Sequence, residues 1–328
     1  MMKKRLNKAI EFLLARGNLP ILYWLKKDIL EVPVDREYKN LKKYAARIRI
    51  INEQRPNGGW CLKKYENDPK WERTHYYIET LRNSFKLYDY GCSGKNKEIK
   101  NCAEFFFSNQ SREGDFRGVY PSEYAPNYHA LTLEILCRFG MEENKKVQKG
   151  FRWLIRNRQD DGGWAIPFQT ITKTELKKRY EQNPQKSLSP IKGDKSQPYS
   201  HAVTGLVLRA LTSSQSWISR KYTNIAGELL LKRFHKKDKY EDRENAGYWK
   251  ELSYPFWSTN LLSSLDSLSK LDYTLENTKI KKALEWLLRV QLPQGYWKAD
   301  YKGAELEDHL WVTLSVLRTF KKFNLLEG

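Results

Sequence analysis

The sequence predicts an all-α protein whose helices alternate between the outer and inner layers of a closed double ring. Three observations carry this expectation. A turn built on Gly and an aromatic residue recurs five times along the 328 residues. The helix before such a turn is apolar along one stripe. The helix after it is apolar on nearly every side.

The turns are Gln54 to Gly58-Gly59-Trp60, Gln110 to Gly114-Asp115-Phe116, Gln159 to Gly162-Gly163-Trp164, Gly247-Tyr248-Trp249-Lys250, and Gln291 to Gly295-Tyr296-Trp297-Lys298. Their aromatic positions, 60, 116, 164, 249 and 297, are separated by 56, 48, 85 and 48 residues. A period near 48 fits two helices and two turns. The 85-residue gap then holds about 37 extra residues, which fall where helix signals lapse, around 166–198.

Within Lys145 to Arg158, the residues Val147, Phe151, Leu154 and Ile155 form one stripe, as in a helix with one face in water. A Gly just past such a helix suits the left-handed position that ends it. His201 to Leu211 is apolar nearly all round, as are Asn127 to Phe139 and Asp308 to Phe320, so these helices belong inside. In order, outer helices are expected near 3–16, 36–53, 95–108, 143–158, 219–235 and 277–290. Inner helices are expected near 20–30, 74–88, 126–139, 199–212, 256–271 and 306–321. Six pairs without polar capping repeats favour closure over an open solenoid. The inner helices would run parallel, with their N-termini at one mouth. The chain, 1–328, reads as a single domain of this kind with an insertion at about 166–198.

Composition sets the outer bounds. Apolar residues make up 40%, and 11 Trp, 20 Tyr and 13 Phe suffice for a core, which excludes extended disorder. No apolar run approaches the ~20 residues of a membrane span. Cys61, Cys92, Cys102 and Cys137 form no close pair. That excludes a disulfide scaffold, argues against a Cys-based zinc finger, and makes the cytoplasm the expected setting. Glu11 interrupts the apolar stretch after Lys3, Lys4 and Arg5, so no secretory signal is expected. The net charge of +20 points to an anionic partner: nucleic acid, a diphosphate or an acidic membrane surface. General enrichment in Lys, Asn, Ile and Tyr would produce the same excess.

The helix Ala283-Leu284-Glu285-Trp286-Leu287-Leu288, running into Gln291-Leu292-Pro293-Gln294-Gly295-Tyr296-Trp297, resembles the QW repeat of squalene cyclases. Gln54-Arg55-Pro56-Asn57-Gly58-Gly59-Trp60 is similar to it as well. The resemblance spans most of the chain and implies an α/α toroid, the fold shared with the β subunits of protein prenyltransferases. Departures are Arg158 in place of Gln, Phe116 in place of Trp, and a fourth turn without a clear Gln. The prenyltransferase zinc triad needs Asp-x-Cys at an inner helix start, but Leu310 follows Asp308. By this resemblance no metal is expected, and no cofactor.

Squalene cyclases carry an Asp-x-Asp-Asp run whose middle acid protonates an alkene. Glu305-Leu306-Glu307-Asp308 resembles it in carboxylate spacing. The resemblance implies Glu307 as the acid, with Asp308 and Glu305 beside it. Clustered carboxylates keep one another protonated. The same residues would equally suit the dipole of a helix N-terminus. His75, His129, His201 and His309 fall at inner helix starts and would face one mouth from different sides, as ligand-binding groups or as ordinary polar helix ends. Tyr76, Tyr128, Trp257 and Trp311 cluster at the same ends, to line an apolar cavity or to pack the core. The insertion carries Lys173, Lys177, Lys178, Arg179, Lys186, Lys192 and Lys195 and reads as a basic lid or a solvated loop.

The expected function is binding of a small apolar or isoprenoid ligand in the central cavity, with or without a diphosphate, and with or without cyclase- or transferase-like chemistry. Two alternatives stand beside it. One is a non-catalytic module for an anionic partner, with a partner protein ranked above nucleic acid. The other is a carbohydrate-active α/α barrel, which needs opposed carboxylates or His pairs across a cleft.

Overall fold

The structure is a computed structural model that describes the chain except residues 1, 67, 69–71, 121, 183–188, 241–244 and 327–328. Fifteen α-helices occur among the described residues. They are α1 (Met2–Arg16), α2 (Leu19–Trp24), α3 (Asp35–Leu41), α4 (Ala45–Asn52), α5 (Glu72–Asp89), α6 (Lys97–Ser108), α7 (Pro126–Arg138) and α8 (Lys145–Arg156). Then come α9 (Lys173–Gln182), α10 (His201–Leu211), α11 (Gln215–Ile218), α12 (Lys221–Arg233), α13 (Leu261–Leu268), α14 (Thr278–Arg289) and α15 (Leu306–Lys322). No strand occurs among the described residues; an isolated bridge joins Gln110 and Phe116 across the second turn. No described helix is long and apolar enough to cross a membrane.

The two layers follow from side-chain pattern. In α14 the buried residues are Ile280, Ala283, Leu284 and Leu287, one stripe at helical spacing. The Asn277 side chain caps that helix by accepting from the amides of Lys279 and Ile280. In α10 nearly every residue from Val203 to Leu211 is buried, and Ser200 caps it through the Val203 amide. All eight residues of α13 are buried. The toroid therefore has α1, α4, α6, α8, α12 and α14 outside, and α2, α5, α7, α10, α13 and α15 inside.

The turns explain their own sequence. The indoles of Trp60, Trp164 and Trp297 donate to the carbonyls of Ile50, Leu154 and Leu287, each ten residues back at the end of the outer helix, at 2.6, 2.8 and 2.6 Å. The backbone amides of the same three Trp donate to Thr80, Thr204 and Thr313 on the next inner helix. Gln54, Gln110 and Gln291 donate across to the next outer helix, at the carbonyls of Glu98, Lys146 and Arg5. The first and fifth turns thus each tie three helices together with buried or part-buried hydrogen bonds, worth roughly 1 kcal/mol apiece. At Gly58, φ is +89° and a Cβ would lie 2.1 Å from the carbonyl oxygen of Asn101, so only Gly fits. In the third turn Arg158 takes the Gln place, and Gln159 reaches instead to the carbonyls of Asp194 and Gln197 at the end of the expected insertion.

The ring closes at its termini. Besides the Gln291–Arg5 bond, the Arg5 guanidinium donates to the Leu288 carbonyl, and Arg318 of α15 pairs with Asp28 at 2.7 Å.

Three expectations need correction. Gly247 does not end an outer helix: α12 stops at Arg233, and Gly247 opens a 3₁₀ turn, Gly247–Lys250. The outer helix expected at 36–53 is two helices, α3 and α4, with a break at 42–44. The inner helix expected at 256–271 is only Leu261–Leu268, because Asn260 forms a capping box with Ser263. The residues before it become a loop that enters the bore. Tyr254, joined to Pro255 by a cis peptide bond, and Phe256 are 7% and 3% exposed there.

Candidate functional site

The bore is not an open aromatic cavity. Tyr254 stacks on Trp311 at 5.3 Å and donates to Asp89 at 2.7 Å. Trp257 meets Phe85 edge-on, and the Arg209 guanidinium holds the Phe256 carbonyl. This loop plugs the ring and leaves a cavity on either side, both bordered by Tyr254.

The larger cavity, about 560 Å³, lies at the C-terminal ends of the inner helices. Tyr88 comes from α5, Arg138 from α7, Ser213 from just past α10, Asp266 and Lys270 from the end of α13, and Ser315, Arg318, Lys321 and Lys322 from α15. Asp28 closes the circle from the π-helical turn Leu25–Leu30. Five bases and two carboxylates line it, and two of the bases have partners beyond the lining, Arg138 with Glu134 and Lys321 with Glu31 at 2.8 Å. Bases complement the negative end of a helix dipole, which explains their tolerance here but not their convergence.

Ion pairs fix these cations. Asp266 accepts from Lys322 at 2.7 Å and lies 3.2 Å from Lys270. Arg318 donates to Asp28 at 2.8 Å through Nε. Behind the wall, Glu134 accepts from Arg138 at 2.7 Å and from Arg209. Burial alone would raise the Glu134 carboxyl, but the guanidinium groups of Arg209 and Arg138 hold it below its ordinary value. Burial likewise opposes Asp266, and the ammonium groups of Lys270 and Lys322 hold it well below the carboxylate range. Burial, helped by Lys322 and Arg138 and opposed by Asp266, pushes Lys270 down to about 8. Burial pushes Asp89 up to about 6, against the Tyr254 hydroxyl. Ser315 lies in the same wall, and its buried hydroxyl has no hydrogen-bond partner among the described residues.

The smaller cavity, about 440 Å³, lies across the plug and is bordered by Arg82, Lys86, Trp257, Tyr301 and Asp308 among others. Four sequence-predicted residues gather around the plug: Asp308 and Trp257 at this cavity, Trp311 against Tyr254, and Glu307, whose Oε1 accepts from Trp311 at 3.4 Å. Glu307 is half-buried, while Glu305 is exposed. Glu305 and Asp308 form the capping box of α15, with the Glu305 amide donating to Asp308 at 2.8 Å.

The structure does not bring the histidines together at a mouth. His129 accepts from the Phe116 amide at 3.1 Å and bonds the Gly150 carbonyl at 3.0 Å. His309 accepts from the Ala299 amide at 3.1 Å. His201 lies between Asp238, at 3.1 Å, and the Tyr248 hydroxyl, at 2.7 Å. Burial pushes His129 and His201 down to about 4, so both are neutral near pH 7. All three tie an inner helix to neighbouring turn or loop groups. His75 stacks on Tyr65, Tyr76 donates to Asn57, and Tyr128 packs edge-on against Tyr120. Part of the expected lid, 183–188 with Lys186, lies outside the described residues. Its base is anchored by Ile191, 4% exposed, and by the Asp194 amide donating to Thr170 at 2.8 Å.

Sequence reasoning missed Arg138, Asp266, Lys270, Arg318, Lys321 and Lys322. The available signal was Glu134 and Arg209, charged residues inside otherwise apolar inner helices.

No family model matches the sequence, and no curated protein matches it. Solved structures do resemble it. A protein from Actinoplanes, 13% identical, covers 99% of this chain and 100% of its own, with a TM-score of 0.50. A polysaccharide lyase, 11% identical, covers 100% and 98%, with a TM-score of 0.52. A variant of the type II terpene cyclase MstE from Scytonema, 12% identical, covers 98% and 96%, with a TM-score of 0.50. Another variant of that cyclase is solved with its substrate, geranylgeranyl dihydroxybenzoate. At such identities the likeness is one of fold, and the fold they share with this chain is the α/α toroid.

Proposed function

We propose that the chain, 1–328, is one toroid that binds a small anionic ligand in the cavity at the C-terminal ends of its inner helices. The supporting observation is the lining: five bases and two carboxylates around about 560 Å³. Cations gathered around one half-buried space repel one another, and an anionic ligand sharing that space relieves the repulsion. Phosphate, diphosphate or carboxylate groups suit such a set, because Arg and Lys give them charge-assisted bonds.

A diphosphate-bearing isoprenoid is the second reading. It is favoured by the aromatic group Tyr254, Trp257 and Trp311 beside the smaller cavity. The plug separates the smaller cavity from the larger one, so a ligand spanning both requires Tyr254 and Phe256 to move. The proposal concerns binding, which both a module and an enzyme need.

Titration calorimetry of the full chain with pyrophosphate and with citrate tests it. Binding should weaken steeply with salt and fall at least tenfold in the double variant Arg318→Met, Lys322→Met. Failure of both anions to bind at low salt, with an uncharged prenyl alcohol binding instead, would refute the anion reading and favour the second.

A further inference from the structure

We propose that Lys270 is a nucleophilic lysine, which condenses with the carbonyl of a small anionic oxo compound held in the cation-lined cavity. The inference rests on the anion-binding reading and adds the substrate class and the reacting atom to it.

The geometry singles out this amine. Lys270 and Lys322 share one carboxylate, Asp266, at 3.2 and 2.7 Å. Lys322 takes the shorter contact, so the Lys270 ammonium is the less stabilised of the two. The charged groups acting on it are Asp266 on its own helix end, Lys322 on α15, and Arg138 and Glu134 on α7. Glu134 is already engaged by Arg138 and Arg209, so its charge is largely spent. A lysine crowded by cations and partly removed from water loses its proton readily, and the free amine is a nucleophile. Burial and this crowding bring Lys270 to about 8, so a substantial fraction is neutral in mildly alkaline solution. The remaining cations stay charged and hold an anionic group beside it.

The step balances without an oxidant or reductant. Lys270 releases one proton to solvent. Its nitrogen lone pair forms a bond to the carbonyl carbon, and the π electrons move to oxygen. A proton passes from nitrogen to that oxygen, giving a carbinolamine. The oxygen then takes a proton from solvent and leaves as water, giving a protonated imine. The net change is ammonium plus carbonyl to protonated imine plus one water. The cavity is open to solvent, so the water has an exit.

The test traps the imine with cyanoborohydride after incubating the full chain with pyruvate, and maps the adduct by peptide mass spectrometry. Lys270 should carry most of the label, with a rate that is half-maximal near pH 8. Excess pyrophosphate should suppress it. Lys270→Arg, which keeps the charge but has no nucleophilic amine, should lose the adduct. Label spread evenly over surface lysines, or none at Lys270, overturns the inference. If pyrophosphate still binds in that case, the anion reading stands alone; if it does not, both fail. Circular dichroism of Lys270→Arg separates loss of the amine from loss of the fold.

Discussion

Replacing Glu134 by Gln tests the charged wall most directly. The carboxylate is 2% exposed and accepts from Arg138 at 2.7 Å through one oxygen and from Arg209 through the other. Arg209 is itself 2% exposed, and its second nitrogen holds the Phe256 carbonyl in the plug. Gln preserves the volume and one acceptor but removes the charge. Arg209 then stays buried without a counter-ion, a change that costs about 3–5 kcal/mol in such settings. Because Gln keeps one hydrogen bond, the lower end, about 3 kcal/mol, is expected. Urea unfolding followed by circular dichroism measures it, and hydrogen exchange at 253–257 should rise as the plug loosens. Pairing Glu134→Leu with Arg209→Met should recover most of the loss, since removing both charges removes the penalty. The pH dependence has a definite sign. The Glu134 carboxyl is held below its ordinary value near 4.5 in the fold, so its contribution is full above that value. It is lost as pH falls through the lower folded value. A cost under about 1 kcal/mol for Glu134→Gln, with no recovery in the pair, would refute the reasoning.

Other substitutions probe the rest of the ring. Gly58→Ala should cost about 1–3 kcal/mol or more by thermal unfolding, since φ is +89° and the new Cβ meets backbone at 2.1 Å; an unchanged midpoint would contradict the account of the turns. Asp89 has a folded pKa of about 6, above the ordinary value of 3.8, so its burial lowers stability as pH rises between those values. Asp89→Asn should therefore stabilise the protein at pH 7, by up to about 3 kcal/mol, and flatten the profile from pH 4 to 6. Excising residues 174–189 should leave the melting midpoint nearly unchanged, whereas extending the cut through Ile191 and Asp194 should lower it, because those residues anchor the base. Glu307→Gln should cost less than about 1 kcal/mol, given a half-buried side chain and one long contact to Trp311; a larger loss would mean a tighter role for that carboxylate.

The turns were legible because their contacts are short in sequence. Trp60, Trp164 and Trp297 each reach ten residues back, so the spacing that satisfies the hydrogen bond is written into the repeat. The plug was not legible. Its residues lie upstream of Asn260, and an apolar Tyr-Pro-Phe-Trp stretch reads the same whether it begins a helix or fills a bore. The charged cavity was hidden for a different reason. Glu134 and Arg209 are 75 residues apart, and Asp28 and Arg318 are 290 apart, so no local pattern announces either pair.

The histidines show why regularity misled. His129, His201 and His309 all fall at inner helix starts, and that recurrence suggests a shared mouth. Two of them do the same structural task, accepting a turn amide at 3.1 Å, and the third is held between Asp238 and Tyr248. What recurs in a repeat protein satisfies the demands every repeat shares, which are packing and backbone hydrogen bonding. A ligand site has no such obligation and is expected where the repeats differ. Glu134 on α7 and Arg209 on α10, charged residues among buried apolar neighbours, are partners in the network behind the cavity wall. Burying them costs more than burying Leu, and nothing in the ring's architecture requires it. Buried charges of this kind, and not the recurring histidines, are the signal in the inner helices that points to the proposed site.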